Sequence, residues 1–127
     1  MSSLTTKGIE ITVETFFRPN LGQQPGEYLF AYRITLENHN SFTVQLMRRH
    51  WEIFDSIGEK RQVDGGGVIG KQPVLAPGET FQYMSGCNLK SEMGKMWGHY
   101  TMLNLDTMRE FEVTIPGFVM VVPAKWN

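Results

Sequence analysis

The chain has 127 residues with 12 Lys and Arg against 13 Asp and Glu, and the resulting formal charge of −1 excludes a polybasic nucleic-acid or membrane-surface binder. At this length one core forms without covalent staples and a second domain has little room, so residues 1–127 read as one domain. The single cysteine, Cys87, cannot close an intrachain disulfide, no window approaches the ~20 apolar residues of a membrane span, and the opening Met-Ser-Ser-Leu-Thr-Thr-Lys carries no export pattern, so a reducing, cytoplasmic location is expected.

Residues 9–17 alternate Ile9, Ile11, Val13, Thr15 and Phe17 with Glu10, Thr12, Glu14 and Phe16, the period of a strand with one wet face. Turn chemistry at Pro19-Asn20-Leu21-Gly22 and Gln24-Pro25-Gly26 separates it from a second such run over 28–38, where Phe30, Tyr32, Ile34 and Leu36 share a face. In 43–54 the apolar parity flips from Val44 and Leu46 to Trp51 and Ile53, which one extra residue, a β-bulge within 47–50, restores. A turn at 55–58, a short strand at Gln62-Val63, and strands over 81–84, 99–103, 110–115 and 118–122 complete the pattern, with turns at 76–78 and 104–106. Pro116-Gly117 cannot sit in the middle of a regular ladder and marks a bulge or an edge. No window carries a helical period, so the fold class is all-β: a sandwich of about seven or eight antiparallel strands, with a closed barrel as the alternative.

The residues 65–70, Gly65-Gly66-Gly67-Val68-Ile69-Gly70, match G-x-G-x-x-G, but Pro73 follows at once and no crossover helix exists, so a dinucleotide fold is excluded. A smaller anion-binding nest of glycine amides remains, with Gly65, Gly67, Gly70 and Lys71 as candidate contacts to a phosphate group, set against plain positive-φ turn chemistry. His39, His50, His99 and Cys87 form no short-range ligand pair, so no metal site or cofactor is assigned, and Cys87 reads as a packing residue. Ser85 precedes Gly86 without a nucleophile elbow, and no carboxylate pair stands out, so no catalytic residue is assigned and an enzyme is not expected. Arg48, Arg49 and His50 beside Trp51 read as stems covering a core tryptophan, and Met93, Met96 and Trp97 as either loop packing or an adaptable docking surface.

One combination is more specific than any of these. Arg49-His50-Trp51, Gly67-Val68-Ile69-Gly70-x-Gln72-Pro73-x-Leu75-x-Pro77-Gly78-Glu79, Phe81-x-Tyr83-x-Ser85-Gly86, Met96-x-Gly98-x-Tyr100-x-Met102 and Phe111-x-Val113-x-Ile115-Pro116-x-Phe118 together resemble the ApaG family over nearly the whole chain. The resemblance implies an immunoglobulin-like or fibronectin type III-like β-sandwich, similar to the free-standing bacterial members. It implies no reaction: the family is named from a genetic neighbourhood with a diadenosine tetraphosphate hydrolase, and its alternative name, CorD, links it with cobalt resistance and magnesium efflux. Similar domains in F-box proteins and in a DNA polymerase delta-interacting protein imply a docking module. The segment 89–94 departs from the family's usual threonine-containing approach to Gly94.

The expected function is therefore a non-enzymatic interaction module that docks an unidentified protein partner through loops 65–71 and 88–98, with a family-level association with divalent-cation homeostasis. The alternative is a binder or sensor of pyrophosphate or nucleotides at 65–71. Edge strands leave a homodimer open.

Overall fold

The computed structural model describes residues 1–19 and 26–123, and the turn expected over 19–26 lies largely outside them. Nine strands follow one another: β1 (Ser2–Thr6), β2 (Ile9–Arg18), β3 (Tyr28–Asn38), β4 (Val44–Asp55), β5 (Glu59–Gly66), β6 (Val74–Leu75), β7 (Thr80–Leu89), β8 (Met93–Asn104) and β9 (Arg109–Val121). They form two antiparallel sheets, β1-β2-β3-β7 and β5-β4-β8-β9, with the short β6 paired to β4. The architecture is the expected β-sandwich, and no helix occurs among the described residues. None is therefore long and apolar enough to cross a membrane.

The strand count differs from the expected seven or eight for local reasons. Two strands are added: the edge strand β1, which has no apolar alternation and exists because its backbone pairs with β2 from Ser2↔Val13 to Thr6↔Ile9, and the two-residue β6, whose Val74 and Leu75 pair with Gln45 and Val44 of β4. The two runs at 110–115 and 118–122 are one strand, in which Pro116 and Gly117 form a bulge between the pairs Gly98↔Ile115 and Met96↔Phe118. The segment 88–98 is a correction: it is a hairpin, not a loop, because β7 continues to Leu89 and β8 begins at Met93.

In β4 the register shifts between Leu46 and Arg48, which makes Met47 the extra residue. The odd positions Trp51, Ile53 and Asp55 then point inward. Trp51, only 2% exposed, meets Tyr32 at 5.6 Å and Phe118 at 5.9 Å between ring centroids, both edge-on. Such edge-on pairs contribute about 1 kcal/mol each beyond the area they bury. Asp55 is the one buried charge among the described residues, held by the Ser91 hydroxyl and by the Lys90 amide at 2.6 Å, and it ties the β7–β8 turn to the end of β4. Burial raises its pKa, but these hydrogen bonds outweigh that and hold it below the ordinary aspartate value.

Candidate functional site

Gly65 and Gly66 belong to β5, opposite Arg49 and Arg48, so the predicted glycine site begins as a strand. Gly67 turns the chain with a φ of 60°, and its amide donates to the Met47 carbonyl at 2.8 Å. Val68 and Lys71 then exchange two backbone hydrogen bonds of 2.8 and 2.9 Å around Ile69 and Gly70, whose φ values are 45° and 75°. Two successive positive φ values define a type I′ hairpin turn. The turn thus brings Gly65, Gly67, Gly70 and Lys71 to one end of the sandwich, while the amides of Gly67, Val68 and Lys71 are already donated within the protein. Ile69, a β-branched residue, sits 53% exposed at the tip in a left-handed conformation that such side chains rarely adopt.

The second concentration of chemistry lies on the outer face of the five-stranded sheet. Strand alternation places Lys60, Gln62 and Asp64 of β5, His50, Glu52 and Phe54 of β4, Lys95, Trp97 and His99 of β8, and Glu112 and Thr114 of β9 on one side. Phe54, Lys95, Trp97, Gly98, Thr114, Ile115 and Gly117 line an open groove of about 590 Å³. Gly117 keeps its floor low, because a β-carbon there would stand 3.4 Å from Lys95 Cε and 3.6 Å from Trp97 Cβ. Phe54, 40% exposed, and Trp97 stand over it, and the ammonium groups of Lys60 and Lys95 lie 5.6 and 5.7 Å from the centre of the indole. A tryptophan face flanked by two cations is stabilised by cation–π attraction; Lys60 also pairs with Glu52 at 3.8 Å, whereas among the described residues Lys95 has no carboxylate within ion-pairing distance, so it supplies the uncompensated positive charge beside the apolar centre.

Beside the groove, His50 and His99 stack at 5.1 Å with 24° between their planes. His50 holds Asp64 through Nδ1 at 2.6 Å and Glu52 through Nε2 at 2.5 Å, so both of its nitrogens face carboxylates. The hydrogen bond to Asp64, then that to Glu52, raises its pKa and favours the imidazolium. On the other sheet, the register brings Glu10 opposite Glu37, and these with His39 place three ligand-type atoms within 4.8 Å of one another. His39 Nε2 bonds Glu10 at 2.9 Å, which raises the imidazole's pKa, so His39 and Glu10 form an ion pair with the Glu37 carboxylate beside it. Cys87 is buried in the core. Neither the outer-face patch nor the Glu10–His39 cluster was visible in spacing alone, because each is assembled across strands; the strand register was the only signal for them.

Comparison with known proteins agrees with this architecture. The ApaG domain model matches residues 20–104. Protein ApaG of Brucella abortus (strain S19) is 46% identical over 125 residues, covering 97% of this chain and 95% of its own. Protein ApaG of Anaeromyxobacter dehalogenans (strain 2CP-C) is 45% identical over the full length of both. A crystal structure of the ApaA protein of Bordetella pertussis superposes with a TM-score of 0.85 at 37% identity, over 91% of this chain and 94% of that one.

Proposed function

We propose, for a chain that belongs to the ApaG domain family, the role of a non-enzymatic interaction module that docks a protein segment on the outer face of its five-stranded sheet. One observation carries the reading: the groove beneath Trp97 and Phe54 is apolar at its centre and flanked by Lys60 and Lys95. Its matching occupant is an acidic segment with an apolar anchor, the anchor filling the space over Gly98 and Gly117 and a carboxylate meeting Lys95, while Lys60 is shared with Glu52. This moves docking from loops onto a rigid sheet, although residues 95–98 of the segment first assigned to it remain in use. The association with divalent-cation homeostasis that the family resemblance implies is then indirect, acting through whatever partner is docked.

The second reading, a pyrophosphate or nucleotide ligand held by Gly65, Gly67, Gly70 and Lys71, has fewer donors to draw on, since three of the turn's amides are committed elsewhere.

Panning a displayed random peptide library on the protein tests the docking role. The expected outcome is enrichment of sequences with an apolar residue flanked by Asp or Glu, whose synthetic versions shift the amides of 95–98 and 114–119. Trp97→Ala, checked to melt as the parent does, weakens them at least about tenfold. Enriched peptides without acidic residues, or shifts confined to another face, overturn the reading. Self-association that Trp97→Ala abolishes assigns the groove to a second copy instead.

A further inference from the structure

After the bulge at Met47, Arg49 falls on the same inward phase as Trp51, so an arginine points between the two sheets. It stands at the open side of the sandwich, where β5 and β7 are the edge strands. A cleft of about 160 Å³ opens there, lined by Arg49 and Trp51 of β4, Tyr32 of β3, Tyr83 and Ser85 of β7, and the Val68-Ile69 turn. Arg49 is fixed from behind: its Nη1 donates to the carbonyls of Gly66 and Gly67 at 3.1 and 2.9 Å. Its guanidinium also lies so close over Gly65 that a β-carbon there would stand 2.7 Å from three of its atoms.

The charge of Arg49 has no acidic counterpart among the described residues: no carboxylate lies within ion-pairing distance of it, whereas Arg48, next in sequence but on the outer face, pairs with Glu110 at 2.7 Å. A half-buried guanidinium is normally compensated by an anion, because removing it from water without one is costly. The rest of the cleft supplies further donors. Tyr32 and Ser85 are register partners, so their hydroxyls share one wall, and burial pushes the Tyr32 hydroxyl up, which keeps it a protonated donor at neutral pH.

We propose that this cleft is a binding site for a single phosphate-sized oxyanion, held by the Arg49 guanidinium together with the Tyr32 and Ser85 hydroxyls. A planar guanidinium fork with two hydroxyls from neighbouring strands offers more donors than a two-oxygen carboxylate uses, and the cleft admits one tetrahedral group but not a nucleoside. The site is separate from the docking groove, which lies on the opposite face of the same sheet. It also differs from a backbone nest, because Lys71 does not line it.

Amide and Arg Nε NMR of the labelled protein, titrated with inorganic phosphate at constant ionic strength, tests the assignment. Saturable shifts are expected at Arg49, Ile69 and Ser85, with Arg49→Lys weakening binding about tenfold and Ser85→Ala about fivefold. Lys71→Ala is expected to leave it unchanged. Tyr32→Phe, which keeps the ring in the core, serves should Arg49→Lys fail to fold. No shift at tens of millimolar phosphate, or binding lost with Lys71→Ala and retained in Arg49→Lys and Ser85→Ala, overturns the site. Acetate binding as tightly as phosphate overturns the tetrahedral assignment, and pyrophosphate binding that excludes phosphate does the same for a single group.

Discussion

Gly98 presses its α-carbon against the carbonyl of His50: a β-carbon at position 98 would lie 2.0 Å from that oxygen and 3.0 Å from its carbon. Both partners are main chain at the centre of the β4–β8 pairing, so nothing flexible can yield. Gly98→Ala is expected to destabilise the fold by about 3 kcal/mol or more. Gly66→Ala, where a β-carbon meets nothing within 4 Å, is expected to change stability by less than about 0.5 kcal/mol. Urea denaturation of the two variants makes the comparison, and equal effects would refute it.

Tyr83 and Tyr100 share one hydrogen bond between hydroxyls buried in the core. Tyr83→Phe leaves the Tyr100 hydroxyl without that partner, at a cost of about 1–3 kcal/mol, while removing both hydroxyls eliminates the unpaired group. The Tyr83→Phe/Tyr100→Phe double variant should therefore be no less stable than Tyr83→Phe alone. A double variant that loses the sum of both single effects would show that the hydroxyls act independently.

Ile69 holds a left-handed backbone conformation at the first central position of its turn, where Asn is the favoured residue before Gly. Ile69→Asn is expected to raise stability by about 1 kcal/mol, visible as a higher melting temperature. No gain would mean that apolar contacts of the isoleucine at the mouth of the Arg49 cleft outweigh the strain.

Asp55 links stability to acid. Its carboxyl is held below the ordinary aspartate value in the native protein, so its contribution is fully present above the unfolded-state value and fades as pH falls through the lower native one. Thermal melts of the parent and Asp55→Asn should differ most near neutrality and converge at strongly acidic pH. A gap that is constant with pH would place the effect of the substitution in packing rather than in charge.

Much of the frame was legible because it obeys period two. The alternation in β2 and β3, the parity flip that placed a bulge within 47–50, and the Pro116-Gly117 interruption of β9 are all statements about which side of a sheet a residue faces. Where strands are specified by backbone pairing, that reading fails. Residues Ser2–Thr6 have no buried face to reveal them, and β5 exposes almost every position. The opening of β8, Met93-Gly94-Lys95-Met96-Trp97-Gly98, has the composition of a loop because glycine there answers close contact between strands. The candidate sites were less legible still. The glycine motif drew attention to a turn, whereas Arg49 shows its importance only once the bulge fixes its phase and β7 brings Ser85 across from the other sheet.

Strand β9 is central to both halves of the molecule. β9 pairs with β8 in one sheet and packs against β1 and β2 of the other, and the Thr114 amide reaches Thr6 Oγ1 across 108 residues of chain. Until β9 docks, the inner faces of β2 and β8 lack Val113, Ile115, Phe118 and Met120. The sandwich therefore keeps an uncovered seam until its most sequence-distant elements meet, and closing that seam carries the largest loop-closure cost among its strand contacts.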